Sequence, residues 1–264
     1  MFEAAASPAG LSPAFAAARA RLGLIALLFV LAAVGWWWTV GQMQGMDDGP
    51  WTALGSAGFF IGVWVVMMGA MMFPSVAPTV ALYARMAGER TLAPLVFAAG
   101  YLVTWAAAGV VAFGLAYGGS RVAGGVLDWD RAGRWVAGAT LIVAAVYELT
   151  PLKDVCLGKC RSPLGFLLSS WRGGNAGALR MGAAHGAWCV GCCWALMASL
   201  FALGVMSVGW MAFVAALIAF EKLMPWRRVA TWGTAGILLT LGVLMLAAPH
   251  LIPGLTIPSR AMGM

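Results

Sequence analysis

The sequence predicts an all-α fold: a polytopic transmembrane helix bundle of about seven spans, with a short interfacial amphipathic helix between spans four and five. Three observations carry this reading. Of 264 residues, 62% are hydrophobic and 9% charged, whereas a soluble domain has about 25% charged residues. Apolar runs long enough to cross a bilayer recur along the chain, divided by short polar segments. The basic residues also sort by loop. With the N-terminus inside, seven spans put twelve of the sixteen on the cytoplasmic side: Arg19, Arg21, Arg85, Arg90, Lys153, Lys159, Arg161, Arg172, Arg180, Lys222, Arg227 and Arg228. Only Arg121, Arg131, Arg134 and Arg260 fall outside, and the opposite orientation inverts the ratio. The net charge of +7 is therefore a topology signal and calls for no nucleic acid.

Residues 1–18 are Ala-, Ser- and Pro-rich and read as a poorly ordered tail before a helical domain over 19–250. The first span covers Leu22 to Val40 and closes on Trp36, Trp37 and Trp38, an aromatic belt. Its apolar run is long enough to remain as a span rather than a cleaved signal. The loop Gly41 to Leu54 holds Met43, Met46, Asp47 and Asp48, a solvated acidic turn that also has the donors to catch a cation. Span two runs from Gly55 to Phe73 and is interrupted at Pro74 and Pro78. Near its end, Met67/Met71 and Met68/Met72 are i,i+4 pairs, a spacing that suits a soft ion as well as ordinary core filling.

Span three covers Leu92 to Tyr117, and a mixed-charge loop follows with Asp128 and Asp130. Span four, Trp135 to Leu149, carries Glu148 in its last turn, either snorkelling to the interface or functional. The loop Pro151 to Arg180 opens with a C-x3-C pair, Cys156 and Cys160. Ser162 and Pro163 then start a short helix, with Leu164, Leu167, Leu168 and Trp171 as the face laid on the membrane surface or packed on the bundle. Span five is Met181 to Met206. Span six, Gly209 to Met224, ends in Glu221 and Lys222, whose charges suit headgroups and loop partners. Span seven, Val229 to Ala248, has only threonines for polarity and reads as scaffold, followed by a tail over 251–264.

Chemistry concentrates in span five, within MGAAHGAWCVGCCWALM. His185, Cys189, Cys192 and Cys193 fall in an arc of about 100° on one helix face. One ion cannot take all four, since Cys193 lies about 12 Å of rise above His185. Either two of these thiols join other segments, or there are two sites; the plain alternative is cysteine as a small core hydrophobe. Gly182 and Gly186 form a G-x3-G pair that lets another helix approach closely beside His185. Spans two, four and six run inward and span five outward. Met68, Met71, Met72, Glu148, Glu221, His185, Cys189, Cys192 and Cys193 thus share the inner half of the bundle with Cys156 and Cys160. A cytoplasmic-side location also keeps Cys156 and Cys160 reduced.

The strings LTPLKDVCLGKCRSPLGFL, ALRMGAAHGAWCVGCCWALM and FEKLMP, with GMDDGP and VWVVMMGAMMFPS, resemble a bacterial family of predicted metal-binding integral membrane proteins, a domain-of-unknown-function family. The resemblance runs from about Trp36 to Ala248 and implies metal ligands among His185, Cys189, Cys192, Cys193, Cys156, Cys160 and the span-two methionines. The leading functional expectation is an inner-membrane protein, N-terminus cytoplasmic and C-terminus periplasmic, that binds copper, with zinc as the alternative metal, for handling or transport. A membrane metalloenzyme or thiol oxidoreductase, and an assembly subunit completed by a membrane partner or a second copy, remain open beside it. No phosphate-binding glycine loop with Lys-Ser/Thr and no H-E-x-x-H motif is present.

Overall fold

The computed structural model describes residues 11–43, 55–88, 90, 92–123, 132–204 and 207–252. These fold into nine α-helices: α1 Leu11–Met43, α2 Ala57–Ala87, α3 Ala93–Ala123, α4 Arg134–Glu148, α5 Pro151–Arg161, α6 Pro163–Ser170, α7 Gly174–Leu203, α8 Val208–Leu223 and α9 Arg227–Ala247. A 3-10 turn, Pro249–Leu251, follows. No strand occurs among the described residues. The tail residues 1–10 and 253–264, together with Met46, Asp47, Asp48, Asp128, Asp130, Arg131 and Arg260, lie outside them.

Among the described residues five helices are long and apolar enough to cross a membrane: α1 from Leu22, α2, α3 to Gly119, α7 and α9. A sixth crossing arises if α4 and α5, bent by 67° at Leu149–Thr150, count as one broken span. The helices expected as spans four and six are present as α4 and α8, but they have 15 and 16 residues. At 1.5 Å per residue they reach about 22–24 Å, short of the ~30 Å hydrocarbon thickness. The outward faces of α1, α3 and α9 carry large apolar side chains, among them Phe29, Val110, Leu115 and Val243, as a lipid-facing surface requires.

Three boundaries differ from the sequence reading. First, α1 takes in residues 11–18 of the segment read as tail, because its Ala-rich stretch is a strong helix former. Second, α2 continues through Pro74 and Pro78 instead of breaking there. Proline leaves carbonyls of the preceding turn without their amide partners, and Ser75 Oγ donates to Met72 O at 2.8 Å within that stretch. Third, the long loop read over 151–180 is largely helical. Thr150 caps α5 by accepting from Lys153 N at 3.3 Å, and Pro151 occupies its first turn. α6 forms at the expected place. Its Phe166 and Leu167 are buried against the bundle while Leu164 and Leu168 are exposed, so it both packs and presents an apolar outer face.

The core is organised around α7 and α3. A Cβ on Gly182 would collide with the backbone of Phe97, and one on Gly186 would lie 2.9 Å from Thr104 Cβ. Glycine at these two positions therefore sets the helix separation, as the G-x3-G spacing predicts. Thr104 Oγ1 donates to Ala183 O at 3.0 Å across the same seam. This close approach carries Tyr101 of α3 to the cysteine face of α7.

Candidate metal centre

The cysteines of α7 do not form a site by themselves. The i,i+3 pair Cys189 and Cys192 points toward α5, where the i,i+4 pair Cys156 and Cys160 faces back. The Sγ atoms of Cys160, Cys189 and Cys192 all lie within 4.8 Å of one another. Cys192 Sγ is 3.7 Å from Cys160 Sγ and 3.3 Å from Cys193 Sγ. Of the arrangements left open by the helical arc, two thiols of span five joined by one from another segment is the arrangement found. All five cysteines are unbridged; four are buried and Cys160 is partly exposed.

The Cys189 sulfur is surrounded by polar donors from two further helices. Tyr101 of α3 places its hydroxyl 3.0 Å away, and the Lys222 ammonium of α8 donates to it at 3.1 Å. Lys222 also donates to Ser75 Oγ at 3.2 Å and lies 3.9 Å from Met72 Sδ. A positive charge therefore stands beside the position where a metal-bound thiolate would carry its negative charge. Such an ammonium both offsets that charge and hydrogen-bonds the sulfur.

The other sequence candidates lie around or outside this cluster. Cys193 flanks it through Cys192. Cys156 is seated against Gly191, where a Cβ would stand 2.8 Å from its Sγ, so glycine is what admits that thiol between α5 and α7. His185 is buried among Phe97, Tyr101 and Phe166, with ring centroids at 6.1, 6.1 and 4.9 Å, and its Nδ1 has no partner among the described residues. It lies outside the three-thiol group. Met68, Met71 and Met72 are all buried, as is Met67, and of these Met72 reaches the cluster's edge through Lys222.

Glu148 and Glu221 belong to a separate constellation. Lys153 of α5 stands between them, 2.6 Å from Glu148 Oε2 and 2.8 Å from Glu221 Oε2, with the three side chains no more than 1% exposed. Glu148 is therefore enclosed rather than snorkelling to an interface. Sequence reasoning missed Lys153 and Tyr101 and assigned Lys222 to headgroups and loop partners. A lysine in a short charged stretch reads as a loop cation, and apart from Lys153–Glu148 these contacts join residues far apart in the chain. The one local signal was Thr150-Pro151, a cap followed by a first-turn proline, which marks the start of α5 and so the helical spacing of Cys156 and Cys160.

No curated protein and no solved structure matches the chain. A family match covers residues 61–245, which include all five cysteines, the Lys153 cluster and Lys222. It agrees with the metal-related part of the resemblance carried by the cysteine motifs. On that match the chain belongs to the PpoB2 copper chaperone family.

Proposed function

We propose that the protein holds Cu(I) between α5 and α7, on the thiolates of Cys160, Cys189 and Cys192, and handles it at the cytoplasmic-side half of a membrane-embedded bundle. The observation that carries this reading is the convergence of three thiols from two helices within 4.8 Å. Thiolates select soft ions, and Cu(I) is satisfied by few of them, whereas structural zinc takes four ligands. Among the described residues no fourth His, Cys, Asp or Glu joins the group, which favours copper over zinc. Cys193 and the Met72 thioether stand next to the cluster as exchange ligands. The sorting of twelve of the sixteen basic residues supports an inner-membrane location with the N-terminus cytoplasmic.

The test is metal content of reduced, detergent-purified protein, beside Cys160→Ser, Cys189→Ser, Cys192→Ser and Cys156→Ser. Near-stoichiometric copper, lost in the first three and kept in the fourth, is expected. Copper retained by all of the first three would overturn the site.

A thiol-redox role is the second reading, favoured by the 3.7 Å approach of Cys192 Sγ to Cys160 Sγ. It predicts a Cys160–Cys192 disulfide in copper-free protein exposed to mild oxidant, detected by mass mapping after alkylation.

A further inference from the structure

The Glu148–Lys153–Glu221 cluster takes no part in holding the metal, yet it is the most enclosed charged group among the described residues. Its members come from α4, α5 and α8. Lys153 Nζ lies 2.6 and 2.7 Å from the two oxygens of Glu148 and 2.8 Å from Glu221 Oε2. Among the described residues Glu221 Oε1 is buried without a hydrogen-bond partner, and Glu148 Oε2, although beside the ammonium, has no hydrogen bond of acceptable geometry. Two carboxylates facing one ammonium leave one oxygen on each acid able to take a proton.

The cluster is also adjacent to the thiols. Cys156 and Cys193 lie within electrostatic reach of the Lys153 ammonium. Glu221 is followed directly by Lys222, whose ammonium touches Cys189. The other charged group packed here is Arg161 of α5, which donates to the backbone carbonyls of Glu221 and Met224 rather than to a carboxylate. Tyr147 of α4 is turned away, donating to Gly191 O at 2.6 Å.

A charge count over these groups has a definite outcome. Two glutamates against Lys153, Lys222 and Arg161 leave one positive charge when every cysteine is a thiol. Cu(I) bound by three thiolates adds one positive and three negative charges and leaves the ensemble one charge negative. In a low-dielectric interior an uncompensated charge is strongly disfavoured. One proton on the carboxylate pair removes it.

Building on the copper reading, we propose that Glu148 and Glu221 form a shared proton site that is filled when copper binds and emptied when copper leaves. The step balances as follows. Three thiols give up their protons to form three Cu–S bonds; one proton passes to the carboxylate pair and two to solvent. Copper remains Cu(I) throughout, and no electron moves. Copper hand-over is then tied to the movement of a proton from a buried acid.

The experiment is difference infrared spectroscopy of the full-length protein in detergent, kept reduced, before and after titration with a Cu(I) complex. Copper bound is counted on the same sample. The expected result is a new carbonyl stretch of a protonated carboxyl on loading. It should shift in heavy water and be lost or displaced in Glu148→Gln or in Glu221→Gln. Two variants are used so that one misfolded protein does not decide the matter, and the wild-type spectrum stands without either. Stoichiometric copper with no protonated-carboxyl change would overturn the proposal while leaving the copper reading intact. So would a band unaltered in both variants, since the proton would then reside on another acid. Failure to bind copper at all would overturn the copper reading and this inference with it.

Discussion

Lys153 has its ammonium enclosed between two acids, at 0% side-chain exposure. Lys153→Met leaves Glu148 and Glu221 buried without their cation, and breaking such a pair costs about 3–5 kcal/mol. The expected outcome is a clear fall in thermal unfolding temperature in detergent, largely recovered when Glu148→Gln and Glu221→Gln are added. A triple variant as unstable as the single one would show that Lys153 acts by packing. Gly191 offers a second residue-level test, because its missing Cβ is the space that Cys156 Sγ occupies. Gly191→Ala should cost about 1–3 kcal/mol through overpacking, and Cys156→Ala should relieve it, with copper stoichiometry unchanged in the double variant. What the sequence showed at this scale was donor type. Cysteines sharing a helix face are visible from spacing alone, whereas the partners that complete the site, Tyr101 and Lys222, lie 88 and 33 residues from Cys189 and become neighbours only through packing.

Helix α5 is the element on which the site depends most. It supplies Cys160, presses Cys156 against α7, carries Lys153, and is clasped at its end by Arg161 onto α8. Its start rests on Thr150, and Thr150→Ala should weaken it by about 1 kcal/mol, the usual cost of a lost cap. The sensitive readout is the alkylation rate of Cys160, expected to rise more than that of Cys189. Equal acceleration of both would point to global loosening. The seam between α3 and α7 gives a complementary test. Gly186→Val pushes against Thr104 and Tyr101 and should lower copper content without altering any sulfur. Long apolar helices were legible because hydropathy alone defines them. The 11-residue α5 was not, because its composition is that of a polar loop and its stability comes from the bundle it packs on. The continuity of α2 through Pro74 and Pro78 was hidden for a related reason: local propensity argued for a break, and the helix continues through both prolines within the packed bundle.

For the molecule as a whole, the sequence predicted the helical class and the five long apolar helices. The number of crossings is less simply read, since α4 and α8 are short and α4 turns through 67° into α5. The proposed sidedness rests on the sorting of charge and has its own expected outcome. An impermeant thiol reagent applied to the cytoplasmic face of sealed vesicles should modify Cys160 ahead of the four buried cysteines, and copper loading should suppress that reaction. Modification only from the opposite face would reverse the proposed orientation.

Lys222 joins residues that the ribosome produces far apart in time. Its ammonium meets Met72 across 150 positions of sequence and Cys189 across 33. During synthesis, Cys156, Cys160, Cys189, Cys192 and Cys193 are all made before the cation that completes their surroundings, and Glu221 arrives one residue ahead of it. A nascent chain halted just before α8 would present five thiols with neither their ammonium nor the second acid of the proton site. Metal captured at that stage would meet a half-built cradle, so on the proposed reading loading has to wait until α8 has docked.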